Sequence, residues 1–318
     1  MDALYNPAAR PNVIAIGGPT ATGKTALSVA LAKRFNGEII SADSMQIYQG
    51  LDVGTAKVTP EEMQGVPHHL VGFLPPEQSF SVADFTARAG DVIARLSHQG
   101  KQPFVVGGTG LYITSLLNGI GFAPEKTDPA IRQELQERLQ AEGAAALYAE
   151  LEAVDPEYAA KVHPNNTPRV IRALELYRAT GRKMSAQREA ARPEQKPYRS
   201  LCLCLTCRDR ALLYQRIDTR CDRMMQAGIL EEAKLVYDHR DTYRTAAQAI
   251  GYKEFFPYFE GTEDAETCLT HLKQASRNYA KRQLTWFRRQ TDAVWLYLED
   301  GSLEQQAAER IQEFLGCD

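Results

Sequence analysis

Eight consecutive residues, Gly18-Pro19-Thr20-Ala21-Thr22-Gly23-Lys24-Thr25, complete a G-x-x-x-x-G-K-T pattern between an apolar run at 13–16 and a helical pattern at 24–35. Glycines let backbone N–H groups curl around an anion without Cβ clashes, and the start of the helix adds its dipole. Lys24 is the residue to neutralise phosphate oxygens, and the Thr25 hydroxyl the one to reach a magnesium ion. The run therefore reads as a di- or triphosphate site with Mg2+ as its cofactor. ATP and GTP are the common ligands of such loops, so a nucleotide-binding kinase or NTPase is the first reading.

The acid that should accompany this loop is displaced. An NTPase of this kind ends a buried strand with an aspartate for the magnesium shell, whereas Phe104-Val105-Val106 runs straight into Gly107-Gly108-Thr109. An acid stands instead at Asp43, just past a strand pattern at 38–41. Position alone would also suit a helix cap. At the carboxyl end of a strand beside a phosphate loop, a general base or a metal partner is favoured. His68 and His69 lack the acid or Cys spacing of a metal site, and no Cys spacing reads as a zinc site.

The elements that must hold these residues alternate. Strand patterns at 13–16, 38–41 and 104–106 are separated by helical patterns at 24–35 and 80–98, which implies a parallel sheet covered on both faces. From 126 to 196 the pattern becomes wholly helical, with Asp128-Pro129 a good helix start and further helices at 144–151, 156–161 and 168–179. Leu201-Cys202-Leu203-Cys204-Leu205 then returns as a strand, its Cys alternating with Leu as small core residues. Residues 208–290 are largely helical. The order implies an α/β, P-loop NTPase-like parallel sheet core, residues 1–125 and 197–318, with an all-helical domain inserted at 126–196.

At 318 residues, 44% apolar and 24% charged, the chain is an ordinary globular composition of about two domains. It has no 18-residue apolar run and no apolar export segment near its start, so a reduced, cytoplasmic protein is expected. The net charge of −3 hides an asymmetry. Residues 126–160 hold three Lys/Arg against eight Asp/Glu, 161–199 hold ten against three, and 271–290 hold six against none. Basic stretches of this kind either solvate helix surfaces or form anion-binding faces.

Several blocks in order resemble one family, the bacterial tRNA dimethylallyltransferases (tRNA isopentenyltransferases). They are GPTATGKT at 18–25, SADSMQIYQGLDVGTAK at 41–57, PHHL at 67–70, FVVGGTGLY at 104–112, HPNNTPRVIRALE at 163–175, IGYKE at 250–254 and RNYAKRQLTWFR at 277–288. The resemblance implies transfer of the dimethylallyl group of dimethylallyl diphosphate to N6 of adenosine 37, in tRNAs reading codons that begin with U. The phosphate loop would then hold a prenyl diphosphate, and the helical insertion would grip the anticodon stem-loop of the tRNA. Family members generally work as monomers.

The same resemblance assigns roles. Asp43 matches the family's base; Lys24, Thr109 and Arg220 would act on the diphosphate, with Arg223 the alternative to Arg220. RNA contacts are implied for Asp43, Ser44, Met45, Gln46, Thr109 and Arg132. They are also implied for Thr167, Pro168, Arg169, Val170, Ile171 and Arg172, and for Gln248, Ile250, Gly251, Tyr252, Lys253, Lys281 and Arg282. Arg220 could instead be a helix-surface partner of Asp218 or Asp222, and Trp286 and Phe287 suit core packing. Two rivals remain at this point. A small-molecule kinase would have no use for a basic helical module, and a non-catalytic RNA binder would not need Lys24, Thr25 and Asp43 together.

Overall fold

The computed structural model describes residues 10–122, 128–191 and 193–316. The expected boundary at 125/126 and Cys317 lie outside the described residues. The chain forms two compact units, one made of the residues up to 117 and from 197 on, the other of residues 118–196.

The first unit runs β1 (Asn12–Gly17), α1 (Lys24–Arg34), β2 (Gly37–Ser41), α2 (Pro60–Met63), β3 (His68–His69), α3 (Val82–His98), β4 (Gln102–Val106) and α4 (Gly110–Leu117). The second unit carries α5 (Pro129–Glu142), α6 (Ala144–Val154), α7 (Pro156–Ala159), α8 (Thr167–Thr180) and α9 (Met184–Ala190). The first unit then resumes with β5 (Arg199–Thr206), α10 (Arg210–Gln226), α11 (Ile229–Asp238), α12 (Phe256–Phe259), α13 (Ala265–Gln290), β6 (Val294–Tyr297) and α14 (Leu303–Leu315).

Among the described residues, six strands form one sheet in the order β3-β2-β4-β1-β5-β6, every pair parallel. Strand periodicity of two splits the side chains between two cores. Val13, Ala15, Ile40, Val105, Cys202 and Cys204 meet Phe85, Ala89 and Ile93 of α3, Ile113 and Leu116 of α4, and Phe287 of α13. Ile14, Ile16, Ile39, Phe104, Leu203 and Leu205 meet Leu27 and Leu31 of α1 and Ala307 and Ile311 of α14. The Leu–Cys alternation of β5 is thus the alternation of its two faces, and Phe287 is a core residue as expected.

Parallel strands put all their carboxyl ends on one edge, where ligands of open α/β sheets bind. Gly17, Ser41, Val106 and Thr206 therefore deliver the loops at 18–23, 42–46 and 107–109, together with the start of α10, to the same region. A third cluster joins α10, α11 and α13 to Ile47, Tyr48, Tyr252 and Phe255. The helical unit has its own core of Leu135, Leu147, Leu151, Tyr158, Val170 and Leu174. Among the described residues no helix is long and apolar enough to cross a membrane.

Candidate active site

At the carboxyl edge of the sheet lies a cavity of about 950 Å³, lined by residues 20–26 of the phosphate loop, Asp43 to Gln46, Gly107, Gly108, Arg216, Arg220, Arg223, Tyr279, Arg282 and Gln283 among others. The phosphate loop reaches it because Gly18, at φ +130°, lets the chain press against β5; a Cβ there would stand 2.4 Å from the Leu205 carbonyl oxygen. Gly23, the N-cap of α1, leads directly into Lys24. Inside the loop the Thr22 hydroxyl and the Lys24 ammonium both donate to the Pro19 carbonyl, at 2.9 and 2.6 Å.

Thr25 lines the cavity. Among the described residues no cluster of three His, Cys, Asp or Glu could hold a metal by itself. A hydroxyl backed by ligand phosphates is the kind of oxygen set that Mg2+ accepts, since it usually takes one or two protein oxygens and keeps substrate oxygens and waters for the rest. The residues present therefore fit Mg2+ bound together with a diphosphate.

Asp43 follows β2 as read from the sequence. Its Oδ1 accepts from the Met45 and Gln46 amides at 2.9 and 3.4 Å, a turn that fixes the carboxylate beside the cavity. Thr109, next to the cavity-lining Gly107 and Gly108, sits beside the Asp43 turn, its hydroxyl oxygen accepting from the Ser44 amide at 3.0 Å and its own amide donating to the Ala42 carbonyl at 3.1 Å. Loops after β2 and β4 are thereby joined. Burial, followed by the Asp43 charge, pushes the Tyr279 phenol up to about 12, so that it stays a hydrogen-bond donor beside Asp43 and Thr109.

Arg220 is not a surface ion-pair residue. Its guanidinium donates to the Thr20 hydroxyl, while Asp218 pairs with Arg277 at 2.9 Å and Asp222 with Lys273 at 2.6 Å. Arg216 adds a bond from Nε to the Ala21 carbonyl at 2.7 Å, so α10 grips the phosphate loop at two points. Arg223 is exposed and lines the same cavity. Packing of Lys24 and Arg220 together has an electrostatic signature. Burial and then the Arg220 charge push Lys24 down to about 8, with Asp43 pulling the other way, and burial lowers Arg220 as well. Two cations held close in a partly dry site are a receptor for a polyanion.

Sequence reasoning missed the residue that shapes the wall at 52–56. Glu232 of α11 accepts from the amides of Asp52, Val53 and Gly54 at 2.7, 3.0 and 2.7 Å, and from the Tyr252 hydroxyl at 2.7 Å. The Gln46 side-chain amide donates to the Thr55 and Ala56 carbonyls of the same loop at 3.4 and 3.0 Å. Glu232→Ala should lower the unfolding free energy by about 2–4 kcal/mol, because three amides lose a charged acceptor. Urea unfolding monitored by fluorescence measures this, and an unchanged midpoint would mean that packing alone holds the loop.

The residues expected at RNA separate. Ser44, Met45, Gln46, Gln248, Ile250, Lys253 and Arg282 line the cavity. Tyr252 does not; it is fully buried and its hydroxyl is spent on Glu232, which makes it a strut of the core. Gly251 lies behind it against Gly54, and Lys281 turns toward the Tyr214 ring at 6.0 Å. In the helical unit, Val170 and Ile171 have their side chains in the core, while Pro168 and Arg169 on the same helix are exposed and Thr167 is half-buried. Arg132 and Arg172 both bond the buried Glu175 carboxylate at 3.0 Å. Arg178 pairs with Glu134 and Glu150, both at 2.8 Å, so the acid-rich and base-rich stretches partly neutralise each other in the fold.

Fold and site together define a phosphate-loop α/β enzyme with a carboxylate facing its anion receptor. The chain belongs to the tRNA dimethylallyltransferase family: the "IPP transferase" family model matches residues 46–290, and the "Isopentenyl transferase" model matches residues 11–71. It is 50% identical over 283 residues to the tRNA dimethylallyltransferase of Bacillus subtilis, covering 89% of this chain and 90% of that protein. The full-length tRNA isopentenylpyrophosphate transferase of Bacillus halodurans superimposes with a TM-score of 0.71 at 43% identity, covering 96% of both chains. A eukaryotic dimethylallyltransferase acting on tRNA gives a TM-score of 0.81 at 30% identity, covering 96% of this chain and 80% of that one.

Proposed function

We propose that this protein transfers the dimethylallyl group of dimethylallyl diphosphate to N6 of adenosine 37 in tRNAs reading codons that begin with U. The products are N6-isopentenyladenosine and diphosphate. One observation supports this reading above the rest: a carboxylate, Asp43, shares a single cavity with the Lys24–Arg220 anion receptor.

Adenine N6 is a weak nucleophile because its lone pair is delocalised into the ring. As N6 attacks the allylic carbon, the carbon–oxygen bond breaks and its electron pair leaves with the diphosphate. The N6 proton passes to the Asp43 carboxylate, held in place by the Met45 and Gln46 amides. Lys24, Arg220 and the loop amides take up the charge that develops on the leaving diphosphate. Mg2+, held by Thr25 and the phosphates, would add further charge neutralisation. Thr109, tied to the Ser44 amide, keeps the base-bearing loop in register with the loop at 107–109. The target base must leave the anticodon-loop stack, at a cost of a few kcal/mol, to present N6.

Cytoplasmic location and a monomeric working state belong to the same proposal. Arg169 and Arg172 on α8 and Arg132 on α5 would contact the stem-loop backbone. Arg172→Ala should weaken stem-loop binding and reduce the slope of log K against log salt by about one. Glu175 stays paired with Arg132, so the helix should keep its fold. An unchanged salt slope in a filter-binding titration would remove Arg172 from the RNA face.

The direct test supplies magnesium, labelled dimethylallyl diphosphate and an unmodified stem-loop containing A36-A37-A38, followed by nuclease digestion. Label in adenosine 37, lost when G replaces it, is the expected result. No transfer, with phosphate moving from ATP to a small acceptor, would return the chain to the kinase reading.

A further inference from the structure

Helix α13 contributes a buried polar side chain to which neither the phosphate loop nor the base has an obvious need. Gln283 is 5% exposed, and both ends of its carboxamide are used. Its Oε1 accepts from the Thr20 amide at 3.0 Å, and its Nε2 donates to the Gly108 carbonyl at 3.0 Å. Thr20 lies in the phosphate loop after β1, and Gly108 lies in the loop after β4 that carries Thr109. These two bonds join the two loops through a third element, α13. The fit is tight: a Cβ on Gly108 would stand 2.2 Å from the Gln283 Nε2.

The same helix face, four residues earlier, carries Tyr279 beside Thr109 and Asp43. The Thr20 hydroxyl meanwhile takes the bond from Arg220. Thr20 is therefore held by α13 through its amide and by α10 through its side chain. A glutamine can accept from one loop and donate to the other at once, which glutamate, lysine or methionine cannot do without a change of charge or a lost bond.

We propose that Gln283 is a positioning residue that locks the phosphate loop and the Gly107–Gly108–Thr109 loop into one rigid receptor. It thereby sets the distance between the bound diphosphate and the Asp43 side of the cavity, to which Thr109 is tied through the Ser44 amide. The inference rests on the reading of this cavity as a diphosphate site, and it acts on the chemistry only through the loops that Gln283 holds.

The test uses the full-length chain and two substitutions that break the strut from opposite ends. Gln283→Met keeps the bulk and lacks the carboxamide, while Gly108→Ala keeps Gln283 but drives its Nε2 away. Each should lower kcat/KM for dimethylallyl diphosphate about tenfold or more, with stem-loop Kd unchanged within about twofold. The Gln283→Met/Gly108→Ala pair should lose little more than the worse single variant, because both remove one connection. Additive losses, or a Gln283→Met enzyme with wild-type kcat/KM, would overturn the proposal and leave Gln283 as packing. Binding of inorganic pyrophosphate, measured by calorimetry on the same four proteins, separates this from the transfer reading. Weakened pyrophosphate binding in both variants supports the strut even if wild type transfers no prenyl group; equal binding in all four overturns it.

Discussion

Exchange of Asp43 for asparagine is expected to lower turnover about 10²–10⁴-fold, the usual worth of a positioned general base, while leaving both substrates bound. Asparagine is the informative choice because its side-chain oxygen can still accept from the Met45 and Gln46 amides. The turn after β2 then persists, and only the capacity to take a proton is lost. The transition state is the place where that capacity matters, since N6 becomes acidic only as the new bond forms. Single-turnover transfer with saturating dimethylallyl diphosphate, alongside stem-loop binding, makes the separation. A fall in rate with unchanged Kd is the expected result. Parallel loss of stem-loop binding would instead make Asp43 a recognition residue, and an unchanged rate would assign the proton to another acceptor.

Asp43 also shows what kind of information was legible in the chain. The residues that could be read were those whose chemistry is local: the loop at 18–25, the acid just past β2, and the absence of an acid after β4. Arg220 lay at the border of legibility. Its neighbours Asp218 and Asp222 offered a surface pairing, and only the fold shows those two acids committed to α13 while Arg220 turns to Thr20. Gln283 and Glu232 were not readable as site residues, because each acts on backbone groups 263 and about 180 residues away in the chain. Backbone amides and carbonyls carry no residue signature, so no pattern marks their partners.

The fold was legible on the same terms. Long buried runs announced β1, β2, β4 and β5, each with a helix to cover it. The two-residue strand β3 and the four-residue strand β6 are edge strands with mostly half-buried side chains, too short for periodicity to declare. Tyr252, Val170 and Ile171 show the converse, with side chains packed in the core. They lie within blocks that also carry exposed polar residues, and a helix or turn necessarily buries one side of such a block. Charge counting had a similar weakness: the basic stretch after 161 meets the acidic stretch before it once α5, α6 and α8 pack.

Lys24→Met is expected to cost about 10²–10³-fold in kcat/KM for the prenyl diphosphate, comparable to the loss of one preorganised donor from an anion hole. Methionine preserves the length of the side chain, so α1 and the loop should fold as before and stem-loop binding should persist. The pH dependence then ties the loss to the ammonium. In the free protein, burial first and Arg220 second hold Lys24 down at about 8 from an ordinary 10.5. A diphosphate binds the charged form, so it must raise that pKa. Affinity should therefore be flat below pH 8 and fall as pH rises above it, by up to about tenfold per unit until the raised pKa of the complex is reached. Binding between pH 8 and 9 should take up a proton, visible as a buffer-dependent calorimetric enthalpy. Tyr279, pushed up to about 12, does not titrate in this window, and burial moves His68 downward and so further from it. In Lys24→Met the proton uptake and the alkaline fall should both disappear. If they persist, another group reports the anion, and the electrostatic pairing of Lys24 with Arg220 is not what prepares the loop to receive it.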